Sequence, residues 1–231
     1  MDASADLSVR VPEPELMNEE LQVQAYAEAD FSQSDHALVD WIAKRWPQGL
    51  GPMAVDLGCG PGNISLLLVQ RWRDLKVVGI DGAPQMLAVA AERQNHLEPQ
   101  VSVRLQWQQA CLQNHELGCD YSGIVSNSLL HHLHDPQVLW QTLPQLGIDG
   151  AAVVIHDLRR PEDESVLKEL IDCYAADAPS VLKRDYEASL RAAFTAAEVE
   201  TQLQAAGLEY LEVLEREDRY LTVAGVLRSP G

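Results

Sequence analysis

At residues 54–62 an apolar run, Ala54-Val55-Asp56-Leu57, gives way to Gly58-Cys59-Gly60-Pro61-Gly62. A buried strand that meets a carboxylate and then glycines at alternate positions must turn sharply at its C-terminal edge. The bare backbone there admits a ligand that any side chain would block. A second apolar run, Val77-Val78-Gly79-Ile80, ends in Asp81, 19 positions after Gly62. In nucleotide-binding βαβ units an acid at that distance meets a ribose diol. These two strand ends predict an α/β chain with a ligand lying across them.

The glycine spacing separates two ligand classes. A dinucleotide fingerprint counted from Gly58 needs glycine at position 63, where the chain has Asn63. A carboxylate directly before the turn also disfavours a pyrophosphate and suits a ligand with an ammonium group. S-adenosylmethionine is such a ligand.

Asp56 to Gly62, Gly79-Ile80-Asp81, Met86 and then Ser126-Asn127-Ser128-Leu129-Leu130-His131-His132-Leu133 together resemble the class I S-adenosylmethionine-dependent methyltransferases. Within them the chain resembles the small-molecule branch that includes ubiquinone and menaquinone biosynthesis enzymes. The motifs cover roughly residues 20 to 157, and the remainder matches only by its pattern of strands and helices. The resemblance implies a Rossmann-like, doubly wound, seven-stranded sheet, mostly parallel with an antiparallel last strand. N-terminal helices and a helical lid insertion complete it.

The same resemblance implies roles for individual residues. Asp56 would meet the methionyl ammonium, and Gly58, Cys59 and Gly60 would present backbone to the cofactor. Asp81, with Gly82, would take the ribose hydroxyls, although Asp81 also reads as a helix N-cap before Pro84. Met86 would lie on the adenine and Tyr26 would cap the cofactor, with core packing the competing role for both. Ser126 and Asn127 would also bind the cofactor. The family usually places an acid after the third strand for the adenine amino group; here the stretch is Gln108-Gln109-Ala110-Cys111-Leu112-Gln113. Adenine recognition then falls to backbone around Cys111 and Leu112 or to the Gln113 amide.

Methyl transfer from a sulfonium asks the protein chiefly for alignment, and for a base where the acceptor holds a proton. His131 and His156 are the candidates for that base. His156, beside Asp157, falls at the end of the fifth strand, where ligands of such sheets sit; a hydrogen-bonded strand-edge histidine is its plainer role. His132 and Arg159 are candidates for holding substrate, Arg159 also reading as a solvated surface residue. His131, His132, His134 and Asp135 have a metal-like composition, but the resemblance implies a pocket lining with no metal. Asn127-Ser128 in place of an Asn-Pro-Pro-aromatic motif disfavours methylation of DNA adenine or protein glutamine.

With 17 Lys and Arg against 35 Asp and Glu, the net charge of −18 repels polyanions and disfavours nucleic acid and anionic membrane as partners. The cysteines Cys59, Cys111, Cys119 and Cys173 have neither disulfide-framework nor zinc-ligand spacing, and no stretch reaches the ~18 apolar residues of a membrane span. A soluble cytoplasmic protein is expected, of unspecified oligomeric state.

Residues 1–14 are expected to be a flexible tail, and 15–231 a single domain. Strands are expected at 53–57, 76–80, 101–107, 121–126 and 151–157, with helices at 63–73, 84–94 and 136–147. Residues 158–194 are expected to form a lid insertion, with helices near 161–176 and 184–192 and with Arg184, Tyr174 and Tyr186 along it. Thr195-Ala196-Ala197-Glu198 has the form of a capping box for a helix that stops at Gly207, before strands at 208–214 and 219–227. The function expected is methyl transfer to a small molecule. Methylation of a protein side chain and a non-catalytic cofactor-binding regulatory domain are the alternatives.

Overall fold

The computed structural model describes residues 7–14, 20–113 and 117–228. Seven strands form one sheet in the order β3-β2-β1-β4-β5-β7-β6. They are β1 (Met53–Leu57), β2 (Lys76–Asp81), β3 (Leu105–Gln109), β4 (Tyr121–Asn127), β5 (Gly147–Leu158), β6 (Glu212–Arg216) and β7 (Tyr220–Val226). β7 alone runs antiparallel to its neighbours, as the resemblance implied. Around the sheet pack α1 (Glu20–Glu28), α2 (Ser32–Arg45), α3 (Asn63–Arg71), α4 (Pro84–Asn95), the short α5 (Pro99–Ser102), α6 (Gln137–Leu146), α7 (Glu164–Tyr174), α8 (Ser180–Ala192) and α9 (Ala196–Ala205). Among the described residues, no helix is long and apolar enough to cross a membrane.

The central strands read as continuous apolar runs because both faces are buried. Successive side chains alternate between two cores. Val55, Leu57, Ile124, Val153 and Ile155 pack with Trp140 and Leu143 of α6 and with Val199 and Leu203 of α9. Ala54, Val125, Ala152 and Val154 pack on the other face with Ile42 of α2 and Leu68 of α3. A third cluster, Leu158, Leu167, Leu170, Ile171 and Leu190, joins α7 and α8 to the end of β5. The capping box is formed: Thr195 Oγ1 accepts from the Glu198 amide (3.3 Å) and Glu198 accepts from the Thr195 amide (2.8 Å).

Three regions differ from the sequence expectation, one being the strand expected at 208–214, which runs from Glu212 to Arg216 after a turn at 208–211. β3 begins at Leu105, because Pro99 starts a four-residue helix and Val103 is left 77% exposed, which a strand between two packed faces would not allow. Residues 7–14, expected as part of the loose tail, are docked. Leu7 is buried, the Val11 amide donates to Arg191 O (3.1 Å), and Arg10 donates to His131 O (2.6 Å) and Leu133 O (3.0 Å) while its guanidinium lies over the Phe194 ring. Residues 1–6 of that expected tail lie outside the described residues.

Candidate active site

The parallel registers bring Leu57 beside Ile80 and Asn127 beside His156, so the C-terminal ends of β1, β2, β4 and β5 open on one face of the sheet. A cavity of about 780 Å³ lies over those ends. The glycine turn, the loops after β2, β3 and β4, and α4 line it. So do Tyr26 of α1, which packs against Met86 of α4, residues of α7 and α8, and Glu217, Arg219 and Tyr220 of the β6–β7 hairpin.

The turn follows from two backbone bonds: the Gly58 and Cys59 amides both donate to Ile80 O (2.8 and 3.0 Å). Gly60 has φ +52 and a Cβ there would meet nothing within 4 Å, so the bare chain borders open cavity. Gly62, at φ +83, admits Trp107, which would lie 2.8 Å from a Cβ. Asn63, the residue that breaks the dinucleotide fingerprint, ties the turn to its neighbours. Its amide donates to Asp35 of α2 (2.8 Å) and its oxygen accepts from Arg93 of α4 (2.5 Å).

Asp81 accepts from the Gly60 amide (Oδ2, 2.8 Å) and the Ala83 amide (Oδ1, 2.8 Å). Each oxygen keeps a free lone pair, so the carboxylate is fixed in place and still able to accept two hydroxyls. Burial holds its pKa above the ordinary carboxylate value. Asp56 is 1% exposed and accepts from Ser65 Oγ (2.6 Å). Burial pushes its pKa up to about 7. A buried acid of this kind is charged at a cost, which a cationic ligand group beside it would offset.

That cost makes a prediction. The folded pKa of Asp56 exceeds the unfolded one, so folding is penalised progressively between pH ~4 and pH ~7 and by a constant amount above. Asp56→Asn should therefore stabilise the ligand-free protein at pH 8 by about 1–4 kcal/mol, and by little at pH 4.5. Urea melts at the two pH values measure it. Equal effects at both would mean that Asp56 carries no buried charge.

Gly82, Ala83 and Met86 line the cavity beside Asp81, and Ala110, Cys111, Leu112 and Gln113 line it beyond β3. Met86 is also buried against Val23 and Ala83, so it serves as wall and core at once. Tyr26 packs against that same cluster, its ring 4.9 Å from Phe31, and its hydroxyl stays protonated because burial raises its pKa.

After β4, Ser128 at φ +60 leads into a short 3-10 turn, Leu130–His132, that presents two imidazoles. His131 is 3% exposed; its Nδ1 donates to Asp157 Oδ1 (2.5 Å) and its Nε2 stands 3.4 Å from Glu13 Oε1. Burial alone would lower its pKa, but Asp157 and Glu13 outweigh burial and hold it above the ordinary imidazole value. Asp157 is held below the ordinary carboxylate value: burial would raise it, and His131 outweighs burial. His132, with its ring 4.2 Å from that of His131, is pushed down to about 3 by burial and by its charged neighbour. Glu13, His131 and His132 offer donor atoms within 4.8 Å of one another and are the described residues that could hold a metal ion. His134 stands apart from that set, its Nε2 donating to Glu13 O (2.8 Å).

Of the residues expected at the site, Tyr26, Asp56, Gly58, Cys59, Gly60, Asp81, Gly82, Met86, Cys111, Leu112, Asn127, His131, His132 and His156 all border the cavity. Two do not. Ser126 is fully buried and its Oγ donates to Leu57 O (2.8 Å), joining β4 to β1, because strand alternation turns it away from the open face. Arg159 points outward to an ion pair with Glu215. His156 borders the cavity as a neutral ring: its Nδ1 bonds Thr222 Oγ1 (2.7 Å), and burial and Arg216 push its pKa to about 3, too low for an effective base near neutrality. The cavity also gathers Tyr174, Tyr186 and Arg219, and Asp157 and Glu13 support its histidines. Asp157 was adjacent to a flagged histidine; Glu13 and Arg219 gave no local sequence signal.

Residues 55–153 match the model of a methyltransferase domain. A trans-aconitate 2-methyltransferase of Azoarcus sp. (strain BH72) is 39% identical over 105 residues, 46% of this chain and 37% of that protein. The chain thus spans well under half the length of the curated relative it matches. Among solved structures, a putative S-adenosyl-L-methionine-dependent methyltransferase from Methanococcus maripaludis superposes with a TM-score of 0.70 at 17% identity, covering 96% of this chain and 98% of that one. Magnesium protoporphyrin IX methyltransferase from Synechocystis PCC 6803 with bound SAH does so with a TM-score of 0.60 at 17% identity, covering 93% and 90%. These likenesses establish the fold.

Proposed function

We propose that this chain is a methyltransferase that takes the methyl group of S-adenosylmethionine and passes it to a small molecule. The observation that carries the reading is the placing of Asp81, fixed by two amides, and buried Asp56 on either side of a glycine turn that borders open cavity. The residues fit such a cofactor: Asp81 for the ribose diol, Asp56 for the ammonium, Gly58 to Gly60 for backbone approach, and Met86, Cys111 and Leu112 for the adenine. When bound, the cofactor supplies an activated methyl on a sulfonium. The chain's own residues then orient the acceptor and exclude water, and His131, backed by Asp157, takes a proton from an acceptor that carries one. His156 becomes a wall of the acceptor pocket.

Curated relatives are named for trans-aconitate, whereas the motifs resembled quinone-biosynthesis enzymes, so the acceptor panel spans both small organic acids and phenols. The net charge of −18 speaks against nucleic-acid acceptors. The unpaired cysteines fit a reducing compartment such as the cytoplasm.

Titration calorimetry should show binding of S-adenosylmethionine and its demethylated product, with NAD binding at least tenfold weaker. Transfer of labelled methyl to a member of the panel completes the test. NAD affinity equal to or above that for S-adenosylmethionine overturns the reading.

A further inference from the structure

We propose that Arg219 is the substrate-binding residue of this pocket and that it receives a carboxylate on the acceptor molecule. The inference deepens the methyltransferase reading and rests on it for what happens to the bound acid, but not for the binding itself.

Arg219 closes the β6–β7 turn, two residues after Glu217 at φ +54, and borders the cavity on the side of α7 and α8. Its guanidinium lies 3.3 Å from the centroid of Tyr174 and 4.8 Å from that of Tyr220, and donates weakly to the Tyr186 hydroxyl (3.4 Å). The three tyrosines hold a planar cation in place without neutralising it. The nearest acid in sequence, Asp218, is otherwise engaged: its Oδ2 accepts from the Tyr174 hydroxyl (2.7 Å). Arg159, Arg160 and Arg191 each have a carboxylate partner. Among the described residues Arg219 has none, and its Nε is buried with no hydrogen-bond partner. A buried donor left unmade is costly, and the cation it belongs to has no anion among the described residues to balance it. A guanidinium fork matches a planar anion, two parallel N–H groups to two oxygens.

The charge around it selects the kind of anion. Glu217, Asp185, Asp81 and Asp56 border the same cavity, and Arg219 is the cavity's only arginine or lysine among the described residues. One cation offsets one negative charge, so a monoanionic carboxylate is accommodated where a phosphate dianion would meet net repulsion. Tyrosine rings flank the guanidinium, and Leu158 and Leu182 line the same cavity, which suits an apolar or aromatic body. The pattern therefore specifies an acid with a single carboxylate on an apolar frame.

The test is equilibrium binding of benzoate, benzamide and phenyl phosphate by ligand-observed NMR, to the full chain with and without S-adenosylhomocysteine. Arg219→Gln and Arg219→Lys are measured alongside, with thermal melts to confirm folding. Benzoate should bind at least tenfold more tightly than either other probe. Arg219→Gln should abolish that preference, and Arg219→Lys should retain part of it, since it keeps the charge but loses the fork. Binding of none of the probes, equal binding of benzoate and benzamide, tighter binding of phenyl phosphate, or benzoate binding unchanged in Arg219→Gln each overturns the proposal. Calorimetry with S-adenosylmethionine is run on the same samples. Failure there with an intact benzoate site would overturn the methyltransferase reading alone.

Discussion

Replacing Asp81 with Ala is expected to weaken S-adenosylmethionine binding by tenfold to a thousandfold. Two hydrogen bonds to a carboxylate are lost, each worth about 1.5–3 kcal/mol at most. The same carboxylate also holds the Gly60 and Ala83 amides, so part of the loss comes from a loosened turn. Asp81→Asn separates the two contributions, because an amide keeps one acceptor and the side-chain shape while removing the charge. Calorimetry gives the affinity, and a melting curve without ligand gives the cost to the fold. An Asp81→Ala protein that folds and binds the cofactor as tightly as the parent would sink the assignment.

The second large effect is expected at His131. If it removes the acceptor's proton, His131→Ala should lower kcat by roughly 10²–10⁴-fold while cofactor affinity barely moves. The reactive form is the neutral imidazole, so the rate should rise with pH, and the midpoint should lie above the ordinary ~6.5 because Asp157 and Glu13 favour the charged ring. Asp157→Asn removes the stronger partner and should move that midpoint down. Stability runs the opposite way. A histidine with a raised folded pKa contributes stability that is fully present below ~6.5 and lost as pH rises through the raised value. Activity and stability should therefore diverge across the same window. A pH–rate profile that is flat through it would leave alignment alone to carry the reaction, as suffices for an acceptor that is already an anion.

What the sequence made legible was what local physics decides. The run Ala54 to Gly62 turns where it does because its own glycines permit positive φ, and Thr195 with Glu198 forms the local capping box of α9. Val101 and Val103 looked like strand by β-branching, yet Pro99 starts a short helix that carries Val101 against the core and leaves Val103 exposed in a turn. The acceptor side was harder. Arg159 and Arg219 are equally plausible as isolated letters, and only the antiparallel pairing of β7 with β5 and β6 turns one outward and the other to the cavity. Glu13 was unreadable because its partner, His131, is 118 positions away.

The docking of residues 7–14 sets an order of events as the chain is made. Arg10 is held by carbonyls of Ala192, His131 and Leu133, and the first of these lies 182 positions downstream. At about 5–20 residues per second, roughly 10–40 s of synthesis pass before that anchor exists. By then the strands up to β5 have been available to pair. Residues 7–14 thus wait for partners made long after them, and the rim they form around the histidines closes on a pocket whose floor is already built.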